Sequence, residues 1–120
     1  MILVDTSIWI DHLRRGDRQL VELLDGGRVV MHPFVLGELA CGNLQDRGQL
    51  LALLHKLPRA VRPNDDEVLF FIEAQELGGR GIGFVDAHLL ASALLSEVSL
   101  WTRDRRLHKV AADLGLTSQR

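Results

Sequence analysis

Cysteine is nearly absent. Cys41 is the only one, so the chain forms no intrachain disulfide and no cysteine-based zinc knuckle. The cytosol is therefore the expected compartment. Beside Gly42, this cysteine reads as a small buried residue. The five histidines are scattered, and none has the spacing of a zinc-ligand pair. No apolar run approaches the roughly 20 residues that span a bilayer. The longest, from Phe84 to Leu95, is broken by Asp86, His88 and Ser92. The opening Met-Ile-Leu-Val-Asp has neither a basic n-region nor a cleavage site, so it is not expected to be a signal peptide. These absences describe a soluble protein with no membrane partner. Repeats, low-complexity tracts and interdomain linkers are also missing. The 120 residues fit a single domain, expected to span 1–120.

Lysine is scarce too. Of 14 basic residues, 12 are arginine, and the formal net charge is −2. That balance alone argues against a nucleic-acid binder. Arginine, however, carries a planar guanidinium suited to phosphate.

What the chain does contain is an alternation of short apolar strands and helices. Ile2-Leu3-Val4 reads as a buried strand. Thr6-Ser7 follow, and Ile8, Trp9, Ile10 and Leu13 mark a helix ending near Gly16. Leu20, Leu23 and Leu24 form a second helix, stopped at Gly26-Gly27. Val29-Val30-Met31 is the next strand, and Pro33 opens a helix to about Gly42. Leucines between Asp46 and Leu57 recur at helical spacing until Pro58. Ala60-Val61 reads as a short edge strand, demoted by Pro63. Asn64 or Asp65 caps a helix to about Leu77. Residues 78–83 form a glycine-rich loop. A helix over 84–97, a strand over 99–102 and a helix from Asp104 to Leu114 complete the chain. Non-alternating strands separated by helices predict an α/β fold: a three-layer α/β/α sandwich around a mostly parallel sheet. Ligands of such sheets bind beyond the carboxyl ends of the strands.

Four of the 16 acidic residues lie in apolar company. Asp5 follows Ile2-Leu3-Val4, and Asp104 follows Leu100-Trp101-Thr102-Arg103. Glu38 sits within Val35-Leu36-Gly37-Glu38-Leu39-Ala40, and Asp86 within Phe84-Val85-Asp86-Ala87. Each has a structural alternative. Asp5 or Asp104 could cap the next helix. Asp86 could favour a helix start through the macrodipole. Glu38, read as buried, could pair with an arginine. As a set, they would repel one another unless a cation joins them. Oxygen ligands without Cys or clustered His favour Mg²⁺ or Mn²⁺. Such sites orient substrate phosphates and activate water.

At these residues the chain resembles a family. Leu-Val-Asp5-Thr6-Ser7, Gly-Glu38-Leu-Ala, Val-Asp86-Ala-His-Leu-Leu-Ala-Ser and Trp-Thr102-Arg-Asp104 resemble the PIN-domain ribonucleases, and among them the VapC-type toxins of toxin–antitoxin pairs. The resemblance runs from residue 2 to about residue 115. It implies a parallel-sheet sandwich whose acids hold one or two Mg²⁺ or Mn²⁺ ions. Asp5 and Asp86 would be the principal ligands, with Glu38 and Asp104 completing the catalytic pocket. Thr6 and Thr102 would orient the carboxylates by hydrogen bonds. The implied reaction is metal-dependent endonucleolytic hydrolysis of single-stranded RNA. The implied partners are a small antitoxin and a second copy of the chain in a homodimer. The position three residues after the last Asp is often aromatic in relatives and is Leu107 here.

With the four pocket acids set aside, the formal charge of the remainder is −2 + 4 = +2. Arg14, Arg15, Arg103, Arg105 and Arg106 are then candidates to contact RNA phosphates. Two other readings are weaker. A haloacid-dehalogenase-like phosphatase would want a second Asp two residues after Asp5, where this chain has Ser7. A non-catalytic binding module would have no need of all four acids. The loop Gly79-Arg80-Gly81-Ile82-Gly83 lacks the ending of a P-loop and reads as a connector. His88, two residues from Asp86, falls on another helix face.

Overall fold

The structure, a computed structural model, describes residues 1–118. Strands β1 (Ile2–Val4), β2 (Val29–Val30) and β3 (Ser99–Trp101) form a parallel sheet in the order β2-β1-β3. Among the described residues seven helices surround it: α1 (Thr6–Arg15), α2 (Arg18–Asp25), α3 (Pro33–Ala40), α4 (Arg47–His55), α5 (Asp65–Ala74), α6 (Phe84–Ser96) and α7 (Arg105–Asp113). In the register, Ile2 lies between Val29 and Ser99, and Leu3 lies between Val30 and Leu100. Strand β1 is central and buried throughout, which explains its unbroken apolar run. The crossover through α1 and α2 carries the chain to one side of β1. The crossover through α3 to α6 carries it back past β1 to the other. Right-handed connections therefore put these two crossovers on opposite faces. Helix α6 packs on β1 and β3, α5 packs on α6, and α7 packs on β3. This is the expected α/β/α sandwich.

The helix starts follow local chemistry. Asp17 caps α2 by accepting from the Leu20 amide. His32 caps α3 through Nδ1, with Pro33 in the first turn. Asn64, rather than Asp65, caps α5, in a reciprocal box with Glu67.

Three expectations need correction. Ala60-Val61 is not a strand: only an isolated parallel bridge between Met31 and Arg59 forms there. Cys41 is exposed, because α3 has ended and its terminal turn faces outward. Helix α5 stops at Ala74, short of Leu77. Glu76 turns left-handed at φ 55°, and the Leu77 amide bonds back to the Ile72 carbonyl. This is a Schellman stop made without glycine. Its hydrophobic anchor, Leu77, is buried.

The main core joins all three strands to Ile8, Trp9, Leu20, Leu89, Leu90, Leu107 and Val110. Leu107 is fully buried. Among the described residues, no helix is long and apolar enough to cross a membrane.

Candidate active site

Strands β1 and β3 end side by side. The Asp5 amide extends their ladder by donating to the Trp101 carbonyl at 2.9 Å. Asp5 is thereby fixed at the carboxyl edge of the sheet, 9% exposed. It starts α1 through its backbone carbonyl, which accepts from the amides of Ile8 and Trp9. Its side chain caps nothing. Instead Oδ2 accepts from the Thr102 hydroxyl at 2.7 Å and the Ser7 hydroxyl at 2.9 Å. For Asp5, the helix-cap alternative is excluded.

Asp104 behaves differently. Its Oδ1 accepts from the amides of Arg106 and Leu107 at 2.9 and 3.0 Å, so it does cap α7. Its own amide donates to the Thr102 hydroxyl at 3.1 Å. Thr102 thus ties Asp5 and Asp104 together through one oxygen.

Glu38 and Asp86 approach from α3 and α6. Glu38 is exposed, not buried, and its partner is not an arginine. Thr6, next to Asp5, donates its hydroxyl to Glu38 Oε1 at 3.3 Å. Asp86, in the first turn of α6, accepts from the Gly83 amide at 3.2 Å.

Electrostatics joins the four. Partial desolvation raises the Glu38 carboxyl above its ordinary value. The Thr6 hydrogen bond offsets part of this, and the charges of Asp5 and Asp86 push it further up. Desolvation likewise raises Asp86, against the Gly83 hydrogen bond and with the charges of Asp5 and Asp104. Each of the four is therefore within the field of at least one other. None forms a salt bridge among the described residues. Nor do any three of the described His, Cys, Asp and Glu residues already converge as ligands on a single point.

The arginines divide. Arg103 is engaged in the fold: Nε lies 2.7 Å from Asp11 Oδ2, and Nη2 lies 2.7 Å from Asp17 Oδ2. Arg15 lies 3.8 Å from Asp11. Arg105 and Arg106 are exposed on the first turn of α7. The Arg106 side chain lies across Gly81, where a Cβ would come within 2.8 Å of its Cδ. Arg14 and Glu38 line a cleft of about 590 Å³ between α1 and α3, floored by Ile10, Leu13, Leu39 and Leu50. His88 is fully buried and bonds Asp65 at 3.0 Å through Nε2, away from the acids.

Sequence reasoning missed Ser7, Asp11 and Asp17. Ser7 was visible as a second hydroxyl beside Asp5. Asp11 and Asp17 sit in polar segments and carry no local signal.

Comparison with known proteins identifies the family and the fold. A family model described as "PIN domain" matches residues 2–113. The chain is 48% identical over 117 residues to ribonuclease VapC32 in two strains of Mycobacterium tuberculosis, covering 97% of this chain and 94% of the relative. The crystal structure of PAE2754 from Pyrobaculum aerophilum superposes with a TM-score of 0.58 at 18% identity, covering 95% of this chain and 88% of that one. That likeness establishes the fold.

Proposed function

The chain belongs to the PIN-domain family and, within it, to the VapC-type ribonucleases; from that premise we propose that it is a toxin endoribonuclease that hydrolyses phosphodiester bonds in single-stranded RNA with a divalent metal. The observation that carries this reading is the un-neutralised group of Asp5, Glu38, Asp86 and Asp104 at the sheet edge. Four oxygen-donor groups suit a hard cation such as Mg²⁺ or Mn²⁺, and desolvation together with the neighbouring carboxylates raises the carboxyls of Glu38 and Asp86. Asp5 and Asp86 would hold it, with Glu38 and Asp104 completing the pocket. The chemistry such an ion supplies is activation of water and neutralisation of phosphate charge.

The rest of the work falls to the chain. Thr102 and Ser7 aim the Asp5 carboxylate through their donated hydrogen bonds. Thr6 orients Glu38 in the same way. Gly83 holds Asp86 against the start of α6. Arg14, Arg105 and Arg106 supply positive charge for the RNA backbone.

The same reading gives the protein one catalytic domain, a cytoplasmic setting, a small antitoxin as partner and a homodimeric state. Its test is RNA cleavage by the purified protein in Mg²⁺, Mn²⁺ or EDTA. Cleavage in either metal, absent in EDTA and in Asp86→Asn, is expected. Equal cleavage in EDTA would sink the metal mechanism.

A further inference from the structure

We propose that Arg103 is a positioning residue, clamping the segment that carries Thr102 and Asp104 onto the acidic site, and is not an RNA contact. The proposal rests on the nuclease reading above.

The side chain and the main chain of Arg103 act on opposite sides of the same segment. Its guanidinium pairs with Asp11 in α1 and Asp17 at the start of α2, each at 2.7 Å. Its amide donates to Ser7 Oγ at 3.1 Å, and Ser7 in turn donates to Asp5. Thr102, just before it, bonds Asp5, and Asp104, just after it, caps α7. One residue therefore links the α1–α2 corner to the innermost hydrogen bonds of the site.

The acidic partners are themselves held. Asp17 Oδ1 accepts from the Leu20 amide, and the Asp17 amide donates to His12 Nδ1, both at 3.0 Å. Its Oδ2 is thus presented to Arg103 by a fixed frame. A lone surface ion pair adds little. Here one planar group bridges two carboxylates, an arrangement that a single lysine ammonium does not reproduce. With Asp11 and Asp17 already on its guanidinium, Arg103 has less charge to offer a phosphate.

The test compares Arg103→Gln, Arg103→Lys and the double variant Asp11→Asn with Asp17→Asn, an exchange that keeps the α2 cap. Three quantities are read: the single-turnover cleavage rate at saturation, RNA binding across a salt series, and amide exchange at residues 102–104. Arg103→Gln and the double acid variant are expected to slow cleavage alike, by about 10–100-fold, the usual effect of losing an outer partner of a metal ligand. Amide exchange should quicken in both, and the salt slope of RNA binding should not change. Combining all three substitutions should cost no more than Arg103→Gln alone. Arg103→Lys should recover part of the rate.

A phosphate contact predicts the reverse. Arg103→Gln would weaken binding and flatten the salt slope by about 0.7, while the double acid variant would bind RNA more tightly. That result overturns the proposal, as does a double acid variant with wild-type rate and exchange. A wild-type protein that cuts no RNA refutes the nuclease reading instead. Exchange then decides the clamp: faster exchange in both variants upholds it, and unchanged exchange overturns it.

Discussion

Thr102 donates its hydroxyl to Asp5 at 2.7 Å across 97 positions of sequence, and both residues are buried. The bond spans the ends of two adjacent strands. Together with the Ser7 hydroxyl on the same oxygen, it fixes the direction of the carboxylate. Replacing Thr102 by Val removes the donor and keeps the shape. Thr102→Val should lose about 1.5–3 kcal/mol of stability, the range for hydrogen bonds to charged groups. Thr102→Ser should restore most of it. Urea unfolding of the three proteins checks this, and equal midpoints would show that the bond carries no weight.

Asp104 caps α7 with its own side chain. Its Oδ1 satisfies two amides at the start of α7. Asp104→Ala should cost about 1 kcal/mol, while Asp104→Asn should leave stability nearly unchanged and still impair cleavage. Thermal melts and RNA cleavage of both variants separate the two roles. If Asp104→Asn cuts RNA at the wild-type rate, the residue is only a cap.

His32 gives the stability a pH dependence. It is fully buried, and its Nδ1 accepts from the Phe34 amide. Burial, with the charges of His88, Arg62 and Arg59, lowers its pKa from 6.5 to about 4. A lowered histidine pKa means that the unfolded chain takes up the proton first. The stabilisation is complete above about pH 6.5 and is lost as pH falls from there towards 4, by about 3 kcal/mol in all. His32→Asn keeps a capping oxygen and cannot titrate. Its stability should fall less steeply between pH 7 and pH 5 than that of the wild type. Parallel slopes for the two proteins would refute the assignment.

Arg105 and Arg106 project from α7 beside Asp104. Arg105→Ala with Arg106→Ala should weaken RNA binding. Its log–log salt slope should flatten by about 0.7 for each phosphate that these side chains neutralise in the wild type. An unchanged slope would place the RNA elsewhere.

Much of this was legible in the sequence because it is locally encoded. Ile2-Leu3-Val4 reads as a buried strand since every residue is apolar, and Pro33 and Asn64 mark helix starts. Gly27 and Gly115 mark stops through their left-handed backbones. Glu76 makes the same stop for α5 with an ordinary residue, so no glycine signalled it. The four acids stood out by their apolar neighbours. Whether Asp5 or Asp104 was a cap could not be read, because both follow a strand and precede a helix. The answer depends on Thr102 and Ser7 meeting Asp5, which is tertiary. Arg103 resembled the other arginines because its partners, Asp11 and Asp17, come from the opposite end of the chain.

The central claim is that the carboxylates around Asp5 form a site for a divalent cation. It is tested most directly by four thermal melts: wild type and Asp5→Asn, each in EDTA and in millimolar Mn²⁺. In EDTA the variant loses one of several repelling charges but also weakens the hydrogen bonds from Thr102 and Ser7, so each protein's own EDTA melt is its reference. In Mn²⁺ the wild type should gain about 2.7 kcal/mol when free ion is 100 times its Kd. The variant should gain much less, because an amide is a poorer ligand for a hard cation. Equal gains in both proteins, or no gain in either, would contradict the account.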